Sequence, residues 1–378
     1  MSQTEALSQK IYAASDSRQM SMLDLLYYFK REGSARVTDL HLKVGRPPCY
    51  RVDGELKVTG AHPLDHATLV KLARTMLDDT QMKTLQERRS VNASRLIEGY
   101  RYRLNAYFDM RGLAMAIRAL DTALPSIDFI GFPNGVWRDI VNLSQGLVLV
   151  TGTTGAGKST TIAALINEIG RTRPCHIITL EDPIEYEFKS DIAMISQRAI
   201  GRDVPNYERG LRDCLREDPD VIFVGEMTDA DSATWTLSAA ETGHLVFSGI
   251  HTRNAIGTVT RVLDMFPANR AEEIATQLSL GLRYVISQKL IPRQDRHGRI
   301  AVMEILNNTF SVANLIRQVK LEQIYSLIQT HTRDEPAQRM TTLERTLATL
   351  VKAGTISRAE AERACNEPRV LEDELQRE

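Results

Sequence analysis

A short glycine-rich segment carries the clearest chemistry in the sequence. Residues 152–159 read Gly-Thr-Thr-Gly-Ala-Gly-Lys-Ser, which fits G-x-x-x-x-G-K-[ST], the phosphate loop of nucleotide hydrolases. Glycines let backbone amides curl round phosphate oxygens, and the N-terminus of a following helix adds partial positive charge. Lys158 would reach the β- and γ-phosphates, and the Ser159 hydroxyl would ligate Mg²⁺. We therefore expect ATP to bind at Gly152, Thr153, Thr154, Gly155, Ala156, Gly157, Lys158, Ser159 and Thr160.

Two acidic segments downstream could supply the carboxylates that hydrolysis needs. In the first, the apolar residues from Ile178 run into Glu181-Asp182-Pro183-Ile-Glu185, and in the second the apolar run 221–224 ends in Gly225-Glu226. Because ligands in open α/β sheets bind at the carboxyl ends of strands, we expect both segments near the phosphates. A carboxylate placed there can hold Mg²⁺ through water or polarise the attacking water.

Two histidines lie at either end of the next apolar run. His244 precedes and His251 follows residues 245–250, which are typical of a buried strand. Seven residues apart across a strand, the two side chains cannot share one local metal site. One of them could sense the γ-phosphate, and a purely structural role for both fits the spacing equally well.

Four arginines lie on or between predicted strands of the N-terminal part: Arg101, Arg103, Arg111 and Arg118. Negative charge builds up during phosphoryl transfer, and arginine supplied from elsewhere in the molecule, or from a neighbour, stabilises it. Surface ion pairing is the alternative, and the sequence spacing taken alone favours it.

The patterning of apolar residues first predicts a small α+β domain over residues 20–120. Helices are expected at 22–31 and 64–88, strands at 37–42, 100–108 and 113–118, and a hairpin turn at Asp53-Gly54. Residues 1–19 are polar and are expected to be flexible. Proline and glycine between residues 121 and 135 indicate a linker.

From residue 136 onward strands alternate with helices, which is the pattern of a parallel α/β sheet. Strands are expected at 147–150, 176–180, 221–224 and 245–250, so that the phosphate loop lies between a buried strand and a helix. After Pro267 helices are expected at 271–288, 311–318, 321–330, 342–351 and 357–365. We assign residues 136–305 to a core domain, 306–366 to a helical C-terminal region and 367–378 to a flexible tail.

Composition limits the remaining classes of function. The 378 residues are 43% hydrophobic and 25% charged, with a formal net charge of −1, so no overall field attracts nucleic acid or an anionic membrane. No apolar run approaches the ~20 residues of a membrane helix. We expect no membrane insertion and a cytoplasmic location. Cys49, Cys175, Cys214 and Cys365 form no C-x-x-C pair, which argues against a zinc ribbon or a disulfide framework.

Taken together, these segments resemble the secretion ATPases of the type II and type IV pilus superfamily, and most closely the PilT-like pilus retraction ATPases. The resemblance runs from about residue 22 to residue 368. It covers, in order, the Ser34–Leu42 stretch of the N-terminal domain, the arginine-bearing strand at 102–105, the Asp box at 177–185, Walker B at 215–227, the His box at 240–252, and the helix motif at 313–317 that is associated with retraction.

The resemblance implies a homohexameric ring whose subunits combine a PAS-like N-terminal domain with a RecA-like core. Nucleotide would bind between the two. Glu185 becomes the candidate general base, and Glu226 the Walker B carboxylate that acts on Mg²⁺ and water. His244 and His251 would couple the γ-phosphate to domain position. The resemblance also implies phosphate contacts from Arg103, Arg111 and Arg118, and as partners an inner-membrane pilus platform protein and a paralogous pilus ATPase.

Departures from the family pattern leave alternatives open. Thr228 stands where the family usually has arginine, which puts one ion pair in doubt and allows an accessory motor instead of the main one. Assembly and type II secretion ATPases often carry a tetracysteine zinc insert, but residues 267–299 contain no cysteine, which favours the retraction branch. A RecA-like nucleic-acid translocase is a further alternative, but the near-neutral charge weighs against it. A subunit that binds nucleotide without hydrolysing it is disfavoured by intact Lys158, Glu185 and Glu226.

Overall fold

The chain folds into two compact units, Met1–Thr122 and Ala123–Glu378. A computed structural model describes residues 3–30, 37–52, 55–120, 124–295 and 298–377. None of the helices in these ranges has the length and apolar character that crossing a membrane requires.

The N-terminal unit is built on a six-stranded antiparallel sheet of order β5-β4-β3-β8-β7-β6, with a separate hairpin of β1 and β2. Its strands are β1 Tyr12–Ser15, β2 Arg18–Met20, β3 Val37–Lys43, β4 Cys49–Val52, β5 Glu55–Val58, β6 Ser90–Ile97, β7 Tyr100–Asp109 and β8 Gly112–Leu120. Its helices are α1 Gln3–Ser8, α2 Met22–Leu26, α3 His66–Met76 and α4 Asp79–Arg88.

Apolar and polar residues alternate along the strands, which gives this sheet one apolar face and one polar face. Leu40 and Leu42 of β3 are fully buried and join one apolar cluster with Leu69 and Leu72 of α3. Successive side chains of a strand point to opposite faces. Asp39, His41 and Lys43 therefore lie on the other face, which is the polar one. Burying each leucine contributes about 1.5–3 kcal/mol to folding.

Residues 3–19 are not loose, as the sequence suggested, but packed in the N-terminal unit. Leu7 of α1 and Tyr12 of β1 are buried, and the Tyr12 hydroxyl donates a hydrogen bond to the carbonyl oxygen of His62. Because this segment is polar overall, the sequence did not reveal that these few apolar residues are buried.

Two predicted helices of this unit also need correction. The helix expected at 22–31 ends at Leu26 and continues as a 3-10 turn, Tyr27–Lys30. The helix expected at 64–88 is two helices, because Asp78 caps α4 by accepting from the backbone N–H of Gln81. Strand β6 was missed. The Asp53-Gly54 turn lies outside the described residues, although the strands on either side pair with each other.

The C-terminal unit contains a seven-stranded sheet of order β11-β10-β12-β13-β9-β14-β15, parallel except for the edge strand β15. Its strands are β9 Gly146–Thr151, β10 His176–Glu181, β11 Met194–Ala199, β12 Val221–Val224, β13 Leu245–Ile250, β14 Leu282–Pro292 and β15 Arg299–Asn307. Its helices are α5 Ile127–Ile130, α6 Trp137–Val141, α7 Lys158–Thr172, α8 Tyr207–Cys214, α9 Ala230–Glu241, α10 Ala255–Asp264, α11 Ala271–Gly281, α12 Phe310–Arg317, α13 Ile324–Asp334, α14 Leu343–Lys352, α15 Arg358–Ala364 and α16 Pro368–Gln376.

Every residue of β9, β12 and β13 is buried. Two apolar clusters cover the two faces of the sheet, one containing residues of α8 to α11 and the other containing residues of α5 to α7. A parallel strand covered on both faces needs side chains that are apolar throughout, which explains the continuous apolar runs in the sequence.

The helix expected at 271–288 is wrong in its second half. Helix α11 ends at Gly281, and Leu282 begins β14, which pairs with both β9 and β15. A short apolar run does not distinguish a buried strand from a buried helix, and the tertiary pairing decides. Strands β11 and β15 were also missed. Both lie at edges of the sheet, where a strand pairs on one side only.

The C-terminal tail is helical over Pro368–Gln376 and docked, not frayed. Pro368 occupies the first turn of α16, a position where its missing N–H costs nothing. Leu371 is only 2% exposed and joins an apolar cluster with Leu347 of α14 and Ile356.

Truncating this anchor should destabilise the C-terminal unit. Replacing Leu371 by alanine removes a buried side chain, so we expect the free energy of unfolding to fall by about 2–5 kcal/mol in chemical denaturation. Arg369 of the same helix is exposed, and its replacement by alanine should stay within about 0.5 kcal/mol of wild type. Equal effects of the two substitutions would mean that α16 does not pack as described.

Candidate active site

Four parts of the site come together at the carboxyl end of the C-terminal sheet: the phosphate loop, His251, Glu226 and the acidic segment after β10. The parallel registers set Thr151 beside Ile250 and pair Leu180 with Val224. Val224 in turn pairs with Ser248, two residues before the end of β13. The residues that follow these four strands therefore leave the sheet at its carboxyl end, where ligand sites in open α/β sheets lie.

Two glycines of the loop are required by its shape. Gly152 has φ 153° and Gly157 has φ 90°, both in the region that favours glycine. A Cβ atom added to Gly152 would lie 2.5 Å from the carbonyl oxygen of Gln288, and one added to Gly157 would lie 2.8 Å from Nε2 of the same residue. The loop thus passes so close to β14 that neither position can carry a side chain.

Lys158 opens α7 and turns its ammonium group back over the loop. Its Nζ donates to the carbonyl oxygen of Gly152 at 3.0 Å and contacts Nδ1 of His251, also at 3.0 Å. Burial holds the pKa of Lys158 below its ordinary value, and the negative charges of Glu226 and Glu185 act in the opposite direction. Both carboxylates are therefore close enough to act on this one ammonium group.

His251 joins Lys158 to Glu226. Its Nε2 lies 2.8 Å from Oε1 of Glu226. Since an ammonium group can only donate, Nδ1 accepts from Lys158, and the ring proton is on Nε2, where it is donated to the carboxylate. The side chains of His251 and Glu226 are 42% and 37% exposed, so a ligand arriving from solvent can reach all three groups.

Glu181, the first carboxylate of the acidic segment, is buried. It accepts from Thr179 Oγ1 at 2.7 Å, from Gln197 Nε2 at 3.3 Å and from the backbone N–H of Glu185. Burial raises the pKa of Glu181 to about 7, although these hydrogen bonds act against the rise. Its contact with the Glu185 backbone fixes the turn that presents the half-buried Glu185 side chain.

Gln197 of β11 holds the far side of this segment. It donates to the carbonyl oxygen of Tyr186 at 2.8 Å and accepts from the backbone N–H of Phe188 at 2.8 Å. The Tyr186 hydroxyl in turn contacts Thr160 Oγ1 at 2.9 Å. The acidic segment is therefore tied to both β11 and α7. Gln197 lies in a short polar stretch that gave no signal in the sequence.

Gln288 was also missed. This buried residue of β14 donates from Nε2 to the carbonyl oxygen of Ala156 at 2.6 Å, and its Oε1 accepts from Thr161 Oγ1 at 2.7 Å. A glutamine more than a hundred residues beyond the loop matches no spacing motif, and the sequence assigned it to a helix.

His244 lies away from these groups. It precedes β13, and its Nδ1 contacts the carbonyl oxygen of Ala239 at 3.0 Å. The seven residues from His244 to His251 span about 23 Å along an extended strand. His244 therefore lies too far from the loop of the same chain to contact a phosphate bound there.

Arg103 and Arg118 belong to the sheet of the N-terminal unit and Arg111 to the turn between β7 and β8, and all three are exposed. Arg103 lies beside Arg118 in the register of β7 and β8. Arg118 donates from Nε to Asp39 Oδ1 at 2.7 Å. Although burial pushes the pKa of Asp39 up, hydrogen bonds from Arg118 and Thr38 hold it below its ordinary value. Arg111 lies in the turn, where its backbone N–H donates to Asp109.

Two groups with oxygen atoms that suit Mg²⁺ are the Ser159 hydroxyl, in the first turn of α7, and the Glu226 carboxylate. Hydroxyl and carboxylate oxygens are ligands that Mg²⁺ accepts, and it usually takes only one or two from protein while keeping waters and substrate phosphates. Among the described residues no group of three or more His, Cys, Asp or Glu side chains could hold a metal without such additional ligands.

The fold and the loop together define a nucleotide-binding P-loop ATPase with a RecA-like core. The chain belongs to the type II/IV secretion system protein family, whose model matches residues 49–363. Both the fold class and the superfamily expected from the sequence are confirmed.

Individual members of the family show which of its proteins this chain resembles. The type IV pilus retraction ATPase PilT of Pseudomonas aeruginosa is 39% identical over 343 residues, which make up 90% of this chain and 97% of the relative. The type IV pilus ATPase PilU of the same organism is 31% identical over 325 residues, 86% of this chain and 84% of the relative. The crystal structure of the pilus retraction motor PilT with bound ADP matches with a TM-score of 0.82 at 39% identity, covering 93% of this chain and 99% of that one.

The buried carboxyl of Glu181 should make stability depend on pH. Because its pKa is raised from 4.5 to about 7 on folding, the folded state holds this proton more tightly, and the stabilisation is present at pH 4.5 and lost as the pH rises through 7. Glu181→Gln stays neutral. At about 1.4 kcal/mol per pH unit, the free energy of unfolding of the variant relative to wild type should rise by about 3 kcal/mol between pH 4.5 and pH 8.

Chemical denaturation at several pH values measures this difference. Glu208 is exposed, and Glu208→Gln is the matched control that should show no such trend. A flat difference between Glu181→Gln and wild type over the same range would mean that Glu181 ionises like an exposed carboxyl.

Proposed function

We propose that this chain is an ATP-hydrolysing motor that works as a ring of six subunits and drives the retraction of type IV pili. The observation that carries the proposal is the line of contacts from Lys158 through His251 to Glu226 at the phosphate loop, in a chain that matches PilT over 97% of the length of that relative.

In the proposed mechanism the backbone amides of residues 152–160 bind the phosphates of ATP. Lys158 exchanges its contacts with the Gly152 carbonyl oxygen and His251 for contacts with the β- and γ-phosphates. This exchange is favourable because a phosphate offers charge to a half-buried ammonium group that has only neutral acceptors in direct contact. Mg²⁺ held by Ser159 and Glu226 would neutralise charge on the phosphates.

Glu185 is proposed as the general base that takes a proton from the attacking water. It is half-buried, lies within electrostatic range of Lys158, and belongs to a turn whose backbone is tied to Glu181. Such restraint keeps a base oriented without a large entropic cost on each turnover. Glu226 is proposed to act on Mg²⁺ and on the same water.

His251 is proposed to report the state of the γ-phosphate. When Lys158 turns to a phosphate, Nδ1 of His251 loses its partner while Nε2 keeps Glu226. The imidazole ring of His251 is then free to contact the next group that occupies the site. Arg103, Arg111 and Arg118 are proposed to add positive charge to the transition state from the N-terminal unit.

The proposed surroundings are cytoplasmic, with the ring docked on an inner-membrane platform protein of the pilus and accompanied by a paralogous ATPase. An accessory role in such a pair is a second candidate, which Thr228 favours. The backbone N–H of Thr228 donates to Ser232 Oγ at 3.2 Å, and its hydroxyl is directed to Asp229. No cation stands at this position to pair with neighbouring carboxylates, unlike the arginine usual in the family.

Substitutions at the loop and at the two carboxylates separate binding from turnover. Lys158→Ala should weaken ATP binding and abolish hydrolysis, because it removes the cation that meets the phosphates. Glu185→Gln and Glu226→Gln should keep ATP binding and lower kcat by ~10²-fold or more, the scale of lost proton transfer. Steady-state hydrolysis and equilibrium nucleotide binding on the same preparations measure both effects.

The control for these variants is Lys189→Ala, an exposed lysine in the same unit, which should hydrolyse ATP at the wild-type rate. Wild-type turnover by Glu185→Gln would remove Glu185 from the role of base. Loss of ATP binding in Glu226→Gln would mean that this side chain supports the pocket instead of the chemical step.

The direction of mechanical work is tested in cells. Deleting the gene for this chain should leave surface pili in excess and abolish twitching, because assembly continues while disassembly stops. Counting pili by electron microscopy checks this, and Lys158→Ala, which cannot hydrolyse ATP, is the control that should fail to complement the deletion. Loss of surface pili on deletion would instead assign the chain to assembly, and normal pili that fail to retract only under load would assign it to the accessory role.

A further inference from the structure

The side chain of Gln288 lies beneath the phosphate loop with both ends of its amide in use. It is 2% exposed. Nε2 donates to the carbonyl oxygen of Ala156 at 2.6 Å, and Oε1 accepts from the hydroxyl of Thr161 at 2.7 Å. The first contact holds the loop, and the second holds the first turn of α7, the helix that begins at Lys158.

The contact with Ala156 determines which way an amide of the loop points. In a trans peptide the C=O of one residue and the N–H of the next point in opposite directions. The Ala156 carbonyl oxygen points at Gln288 in β14, so the N–H of Gly157 is directed away from β14, to the side on which a phosphate would be held. Fixing the Ala156 carbonyl group therefore also orients the Gly157 N–H, which can donate a hydrogen bond to a phosphate.

The backbone of the same residue sets the path of the loop at its other end. The Gln288 carbonyl oxygen would lie 2.5 Å from a Cβ atom at Gly152, so the chain can pass β14 there only as glycine. Gln288 thus limits the loop at its first glycine through its backbone and at its last glycine through its side chain.

We propose that Gln288 is a positioning residue for ATP binding: it holds the phosphate loop and the start of α7 in the shape that accepts phosphate, without touching the nucleotide. The proposal rests on the ATPase function proposed above and adds to it a residue that lies outside the loop, the acidic segments and the histidines.

The chemistry of position 288 makes the amide specifically necessary. A methionine of similar length would leave the buried carbonyl oxygen of Ala156 and the buried hydroxyl of Thr161 without partners. A glutamate would keep an acceptor for Thr161 but would set a carboxylate oxygen against the Ala156 carbonyl oxygen. Each unsatisfied buried group costs about 1–3 kcal/mol, and here the loop can escape that cost by leaving its phosphate-accepting shape.

The neighbouring residue provides a matched control. Lys289 is also partly buried, and its Nζ donates to the carbonyl oxygen of Ala364 at 2.6 Å and to Asn366 Oδ1 at 2.7 Å, both in the C-terminal segment. Lys289→Met removes buried hydrogen bonds from the same strand but leaves the two contacts between Gln288 and the loop in place.

The test measures ADP affinity by titration calorimetry, ATP turnover, and thermal unfolding without nucleotide, for wild type and five variants: Gln288→Met, Gln288→Glu, Thr161→Val, Thr161→Ser and Lys289→Met. We expect the Kd for ADP and the KM for ATP to rise about 10- to 100-fold in both Gln288 variants, as one or two such costs predict. The kcat at saturating ATP should stay within about threefold of wild type, because the lost free energy lies in forming the binding shape.

Thr161 makes the test independent of any folding defect at position 288. Thr161→Val should raise the Kd for ADP about tenfold, since it removes one of the two contacts, and Thr161→Ser, which keeps the hydroxyl, should restore it. Lys289→Met should lower the unfolding temperature while leaving the Kd within about twofold of wild type.

Three results would overturn the proposal. One is a Kd for ADP in Gln288→Met within twofold of wild type. Another is an equal rise of Kd in Lys289→Met, which would reduce the effect to general destabilisation. The third is a fall of kcat with unchanged KM, which would move Gln288 from binding to the chemical step. Failure of the proposed function itself looks different, because wild type would then bind no ADP in the same titration.

Discussion

The parallel register of the central strands is the constraint on which the site depends. β9, β13, β12 and β10 run in one direction, and their pairing sets Thr151 level with Ile250 and Leu180 level with Val224. The loop and His251 directly follow β9 and β13, Glu226 comes two residues after β12, and the acidic segment begins at the last residue of β10. A shift of the register by one residue would exchange the two faces of a strand and move its last residue by about 3.3 Å. The contacts around Lys158 do not tolerate such a displacement.

The parts of this arrangement that the sequence predicted are those in which local pattern and tertiary environment agree. The strands expected at 221–224 and 245–250 are β12 and β13 with the same bounds, because a strand buried on both faces must be apolar at every position. The phosphate loop was predictable because its backbone path leaves few residue types possible at Gly152 and Gly157. Positions of His251 and Glu226 then followed from the ends of predicted strands.

The parts that could not be predicted depend on contacts between distant segments. The apolar residues of β14 suit a helix as well as a strand, and only pairing with β9 and β15 distinguishes the two. Gln197 and Gln288 carry no charge and fit no motif, yet each uses its amide to hold a segment of the site. Such residues become visible only when the strands that bear them are placed next to the loop. Likewise, Leu371 anchors a tail that its charged neighbours made look disordered.

The placement of β14 links the phosphate loop to the C-terminal helices. Gln288 and Lys289 are consecutive in an extended strand, so their side chains leave opposite faces. One holds the loop, and the other holds the segment between α15 and α16. Burial keeps the pKa of Lys289 below its ordinary value, against the pull of Glu344 and Glu304, and a half-buried cation of this kind depends on its hydrogen-bond partners. β14 therefore cannot shift along its axis without breaking both sets of contacts at once, so the loop and the C-terminal helices share one mechanical support.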